Sequence, residues 1–227
     1  MDRRAQEGMA LVVAIMATLV VGALGVGLVL ASMSETMMAA NFQRRVEAQY
    51  AAEAALERAV SDAHASDDWN GVLAGLTPSS FIDGPPAGTR LLSGGTTVDL
   101  SEVVNLANCG HAASCREAEL VAASRERPWG MNNPRWWLYA YGPLESLMPA
   151  GAIVSRFYIV VLVADDPAEN DNASLVDGGA PITGEPVNPG AGVIVFRAEA
   201  FGPRGAHARV DATLARNHGI VSWREVR

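Results

Sequence analysis

The chain has 227 residues, a formal net charge of −8 and 49% hydrophobic residues, enough for one medium domain with an N-terminal attachment. Its basic residues are all arginine or histidine, with no lysine, and the acidic excess excludes a nucleic-acid binder, whose affinity comes from neutralising phosphates. Two cysteines without a CxxC pair exclude a disulfide scaffold and the usual zinc or redox motifs.

The first element is apolar. From Met9 to Met33 there is no charged residue, and Thr18 and Ser32 carry the only strongly polar side chains. Roughly 20 apolar residues cross a bilayer core as a helix, whereas a cleaved secretory signal has an apolar region of about 7–15 residues. The run therefore reads as a membrane anchor. Arg3 and Arg4 ahead of it favour an inside N-terminus, which puts the acidic remainder across the membrane. Gly8 stands at the boundary between the charged leader and the apolar run. Small residues recur every fourth position at Ala14, Thr18 and Gly22, and again at Ala23, Gly27 and Ala31. Such stripes allow close helix–helix approach, although alanine and glycine are common in membrane helices in any case.

The second element continues the first. From Glu35 to His64 there is neither Gly nor Pro, and Ala, Glu, Arg, Gln and Leu are strong helix formers. Phe42, Val46 and Tyr50 follow at i, i+4 and i+8, with Leu56 and Val60 near the same stripe, so this face is expected to pack on a soluble domain. One unbroken helix, apolar and then amphipathic, is expected to end near Ser66-Asp67-Asp68.

This combination resembles the class III signal and N-terminal helix of type IV pilins. Gly8-Met9-Ala10-Leu11-Val12 and Tyr50-Ala51-Ala52-Glu53-Ala54-Ala55-Leu56 look like the N-terminal region of PilX-type minor pilins, and the likeness covers about the first 60 residues. It implies cleavage by a prepilin peptidase after Gly8 and methylation of the new N-terminus at Met9, which departs from the frequent Phe. It implies a leader at 1–8, a transmembrane and filament-core helix at 9–34, its amphipathic half at 35–66 and a headpiece at 67–227. Major pilins usually carry glutamate as the fifth mature residue; here that position is Val13. In a filament that carboxylate offsets a neighbour's N-terminal ammonium inside an apolar core, where an unpaired charge is costly. PilX-like and GspK-like pilins often lack it, which fits a tip position with no subunit above. The implied partners are the prepilin peptidase, other minor and major pilins through the N-terminal helix, and the bacterial inner membrane before assembly, with no nucleic acid among them.

Beyond the helix, residues 67–97 are rich in Gly, Pro, Ser and Asp, and 96–104 are expected to form a short strand or a turn and helix. Cys109 and Cys115 would close a small loop if oxidised; the competing reading is a metal site using His111 between them. The charged, Ala-rich stretch from Cys115 to Arg127 suggests a short helix before Pro128. Strand patterns follow at 135–141, 157–164, 193–201, 208–215 and 220–226, each β-branched or aromatic and bounded by turn residues. Gly202-Pro203-Arg204-Gly205 reads as a hairpin loop. Arg197, Glu199, Arg209 and Asp211 alternate with apolar residues, so one sheet face is expected to be solvated. The fold class is α+β and pilin-like: a long N-terminal helix packed on an antiparallel sheet of four or five strands.

Two loops raise binding questions. Asp165, Asp166, Glu169 and Asp171 cluster after the second strand, and such carboxylates can hold Ca²⁺ through six to eight oxygens, though the spacing is not that of an EF-hand. A solvated acidic loop is the plainer alternative. Trp129, Trp136 and Trp137 near Asn132 and Asn133 suggest either a carbohydrate platform or burial against the helix, with Trp137, Tyr139 and Tyr141 on one alternating face. No nucleotide loop, GxSxG or HExxH is present, and His64, His111, His207 and His218 are scattered, so an enzyme is not expected. The leading expectation is a minor pilin needing no cofactor, with calcium as an optional one. The competitor is a permanently anchored periplasmic domain that binds calcium or glycan.

Overall fold

The computed structural model describes residues 3–92, 95–122, 134–147, 154–181 and 187–226, and of residues 3–8 and 121–122 the backbone alone. Trp129, Asn132 and Asn133 lie outside the described residues, as does the stretch from 123 to Pro128. The chain divides into two compact units, Met1–Arg44 and Arg45–Arg227.

Helix α1 spans Arg3–His64, 62 residues without a proline. The first unit holds its apolar part. Every side chain from Met9 to Ala39 is exposed there, and Gly22, Gly25 and Gly27 have open space around them. The hydroxyls of Thr18 and Thr36 donate to the carbonyls of Ile15 and Ser32 within the helix, so neither presents an unmet donor to an apolar environment.

In the second unit α1 packs on the sheet through Ala48, Ala51, Ala52, Ala55, Leu56, Ala59 and Ala63, all buried. This corrects part of the expected stripe: Phe42 and Tyr50 are exposed and Val46 is half-buried, whereas Leu56 is buried and Val60 packs against the core. Six of the seven buried positions are alanine. The strands supply the volume instead, through Tyr139, Phe196, Ile159, Ile194 and Leu214. Helix α2 (Trp69–Leu73) follows after a cap by Asp68, whose carboxylate accepts from the Gly71 amide at 2.8 Å. The buried Trp69 donates its indole N–H to the Ala63 carbonyl at 3.0 Å, tying α2 to the end of α1.

The sheet has five antiparallel strands in sequential order: β3 (Trp137–Pro143), β4 (Tyr158–Asp165), β5 (Val193–Phe201), β6 (His207–Ala215) and β7 (Gly219–Val226). The expected hairpin loop joins β5 to β6. Arg204 and Gly205 both take positive φ there, and a Cβ at Gly202 would lie 2.2 Å from the Phe157 ring. Every residue of β4 is buried, because both of its faces are covered. One face meets α1. The other meets a small layer made of β1 (Thr89–Leu91), β2 (Thr97–Asp99) and α3 (Leu100–Cys109), with Leu92, Val98, Leu100 and Val103 on Tyr141, Tyr158, Val160 and Leu162. At the β5–β7 end the expected solvated face is only partly realised: Arg197, Glu199 and Arg209 are half-buried and Asp211 is buried. There Asp211 accepts from Arg197 at 2.9 Å and from Arg224 at 3.2 Å, and the Arg197 guanidinium lies 4.4 Å from the centre of the Trp136 ring.

A bulge in β3 overturns a second expectation. The register passes from Leu138↔Leu162 to Ala140↔Val161, leaving Tyr139 as the extra residue. Tyr139 and Ala140 both point to the α1 side, so Tyr141 falls on the opposite face and joins the second core, while Trp137 stays part-exposed. The outer edge of β3 is covered by residues 79–82: the Ser79 amide donates to the Tyr139 carbonyl and the Tyr141 amide to the Phe81 carbonyl. Among the described residues β7 forms the open edge of this sheet.

Candidate functional site

Two places in the molecule invert the usual rule of burial. The first is the apolar half of α1, the one helix among the described residues long and apolar enough to cross a membrane. Gly8 lies within the helix, one residue ahead of the exposed run. Met9 is 69% exposed and Val13, one turn on, is 59% exposed. Soluble monomers rarely expose continuous apolar surface of this extent; such a surface meets lipid or other protein.

The second is a cluster of buried carboxylates where β4 ends. Asp165, Glu169 and Asp171 are each buried, and a carboxylate oxygen of each lies within 4.8 Å of the others. Both Asp165 oxygens are inaccessible and receive no hydrogen bond of proper geometry. Its pKa is pushed up to about 9, chiefly by burial and next by the Glu169 charge, with the adjoining Asp166 amide pulling the other way. Burial, together with a shared contact to Asp171, also raises Glu169.

The rest of the site is polar, and among the described residues no basic side chain forms an ion pair with the three carboxylates. Asn188, itself buried, donates its side-chain amide to Glu169 at 2.8 Å, to Asp171 at 3.0 Å and to the Gly179 carbonyl at 3.2 Å. The Gly178 amide donates to both Glu169 oxygens at 2.9 and 3.2 Å, and the Ala173 amide donates to Asp171 at 2.8 Å. Two glycines leave room for the carboxylates. A Cβ at Gly179 would lie 2.3 Å from an Asp171 oxygen, and one at Gly190 would lie 2.4 Å from Glu169 Cγ.

The structure brings Asp165, Glu169 and Asp171 together. It leaves Asp166 half-buried outside this group, its carboxylate accepting from the Ala168 amide at 2.9 Å. Sequence reasoning did not single out Asn188, Gly179 or Gly190. The only local sign was an amide set among prolines and glycines in Asn188-Pro189-Gly190.

Cys109 and Cys115 form a disulfide with a Cα–Cα distance of 5.9 Å, directly after α3 and its left-handed Gly110 cap. His111 sits 3.4 Å from Glu119, whose carboxyl is pulled down to about 2, chiefly by the Arg116 side chain. With both sulfurs bonded to each other, the His111–Glu119 pair offers no thiolate to a metal.

Comparison with known proteins bears on the first place. Residues 7–57 match the PilX N-terminal family, a segment that lies within α1 and takes in Gly8, Met9 and Val13. The N-terminal part of the chain is therefore similar to that of PilX-type pilins. No curated protein and no solved structure matches the chain.

Proposed function

We propose that this chain is a minor pilin of a type IV pilus, a structural subunit set at or near the filament tip. The observation that carries the reading is the PilX N-terminal match, which falls on a helix whose apolar side chains stand exposed from Met9 to Met33. Such a helix has two successive environments. In the bacterial inner membrane it spans the bilayer once, with the C-terminal domain outside the cytoplasm. After cleavage by a prepilin peptidase behind Gly8 and methylation at Met9, it packs against the helices of other pilins in the filament core.

Val13 supports the tip. A subunit inside the shaft needs a carboxylate near its N-terminus to offset the ammonium of a neighbour in an apolar core, and valine offers none. A subunit that ends the filament has no such neighbour above it. The sheet unit then does its work as a packed body rather than as an enzyme.

Mass spectrometry of the mature N-terminus tests the processing step. The expected species begins at methylated Met9. An intact Met1 in cells with a functional prepilin peptidase would overturn the reading in favour of a permanently anchored domain. Quantifying the chain in sheared filaments tests the position: a tip subunit is present in a few copies per filament, and a content comparable to the major pilin would rule out the tip.

A further inference from the structure

Asp211 and Asp177, two other carboxylates withdrawn from water, have counter-charges. Asp211 pairs with Arg197 and Arg224. Asp177 pairs with Arg216 at 3.3 Å and accepts from the Gly192 amide. Among the described residues no arginine forms an ion pair with Asp165, Glu169 or Asp171. Carboxylates withdrawn from water with no cation beside them are costly to keep ionised, and a cation joining them removes that cost.

The geometry points to that missing charge: we propose that Asp165, Glu169, Asp171 and Asn188 form a calcium site. Two oxygens bound to one calcium at about 2.4 Å each lie no more than about 5 Å apart, and the three carboxylate groups meet that limit at 4.8 Å. The donors are hard oxygens, which suit calcium rather than softer metals. Asp165 gives the clearest sign, since both its oxygens are buried and accept no hydrogen bond of proper geometry. The space is built, because a side chain at Gly179 or Gly190 would run into Asp171 or Glu169.

Asn188 is the adaptable member. With its NH₂ turned inward it donates to Glu169 and Asp171, as an ion-free cluster requires. Turning the amide over presents its oxygen to the same point and converts a donor into a ligand. Magnesium suits the site poorly. It sheds water reluctantly and keeps several waters in its shell, which residues so fully buried do not admit.

An ion here joins distant parts of the chain. Asp165 is the last residue of β4, while Asn188 and Gly190 lie just before β5 begins at Val193. Calcium would therefore clamp both ends of the long connection between two central strands. This inference rests on the headpiece alone and stands whether or not the N-terminus is processed.

The test is calcium titration by calorimetry of the full chain in detergent micelles after treatment with a chelator. The expected result is one calcium per chain with a Kd of about 1 mM or tighter and a thermal midpoint that rises with calcium. Magnesium at equal concentration should not displace it. Asp165→Asn keeps the shape of the side chain, so the calcium-free variant should fold, while its calcium affinity falls by about tenfold or more. Glu169→Gln should weaken binding likewise, and the remote Glu102→Gln should bind as wild type does. Absence of binding at about 1 mM calcium, wild-type affinity in Asp165→Asn, or equal binding of magnesium would each overturn the assignment.

Discussion

Between Met9 and Met33 the chain holds apolar side chains in the open, and at the end of β4 it holds carboxylates out of water. Each region breaks the burial rule in the opposite sense. The exposed apolar helix is satisfied by an apolar environment, which lipid and neighbouring helices both provide. The carboxylate cluster is what the calcium proposal addresses. Surfaces obeying the rule, such as the alanine face of α1 on the sheet, explain why the headpiece holds together. The two exceptions point to what the protein meets.

The largest expected effect breaks the first exception. Val20→Arg with Leu24→Arg places two charges in the exposed apolar run, and each exchange costs about 3 kcal/mol of membrane insertion. The double variant should leave the membrane fraction on alkaline extraction while the wild type stays. Retention of both in the pellet would show that the run is not the anchor.

A second pair of substitutions separates the faces of the helix. Leu56→Ala removes the one large side chain among the seven positions α1 buries on the sheet, at about 2–5 kcal/mol. Thermal melting should show a drop of several degrees or more. Tyr50→Ala, on the exposed face, should change stability by less than about 0.5 kcal/mol. Equal losses would mean the packed face is not the alanine one. Under the pilin reading Tyr50→Ala should still weaken filament incorporation.

How much of this was legible in the sequence depends on the range of the interactions involved. The five strands and the unbroken helix follow from local pattern, since β-branched runs between turn residues and a stretch free of Gly and Pro leave few alternatives. Large residues do not mark the packing face of α1: six of its seven buried residues are alanine, and the volume of that core comes from strands distant in sequence. The flip of Tyr141 was hidden because one extra residue in β3 shifts the alternation without changing composition. The acidic loop was legible as a cluster, but not as a buried one. Asp165 alternates with Ile159, Val161 and Val163 on the face of β4 that the helices cover, and that cover comes from residues 48–73. Nothing next to Asp165 in the sequence records that cover.

Adding a methyl group distinguishes the two regions at smaller cost. Gly179→Ala would drive a Cβ against the Asp171 carboxylate, and overpacking of this kind costs about 1–3 kcal/mol. Gly22→Ala meets nothing within 4 Å and should leave the melting of the sheet unit unchanged. Its effect should appear only where helices pack together, as reduced incorporation into filaments. A loss of headpiece stability in Gly22→Ala, or none in Gly179→Ala, would reverse the assignment of crowded and open ground.

The smallest effect concerns a carboxylate that has its partners, and so serves as a contrast to Asp165. Asp62 on α1 accepts from the Ser79 hydroxyl, from the Ser80 amide at 3.0 Å and from the Ser80 hydroxyl at 2.9 Å, and pairs with Arg58 at 3.0 Å. Burial alone would raise its pKa, but the serine hydrogen bonds and Arg58 outweigh it, and the net direction is down. A carboxyl whose folded pKa lies below its unfolded value of about 3.9 adds stability above that value and loses it as pH falls through the folded pKa. Asp62→Asn should therefore cost about 1 kcal/mol at pH 7. The gap in thermal midpoint between variant and wild type should close as pH falls from about 4 toward 3. A gap that stays constant over that range would show that the amide lost shape or packing rather than charge. The consequence reaches the sheet, because Ser79 and Phe81 cover the edge of β3 through backbone hydrogen bonds. Releasing their tether to Asp62 leaves that edge easier to uncover, and hydrogen exchange at the Tyr141 amide should quicken in the variant.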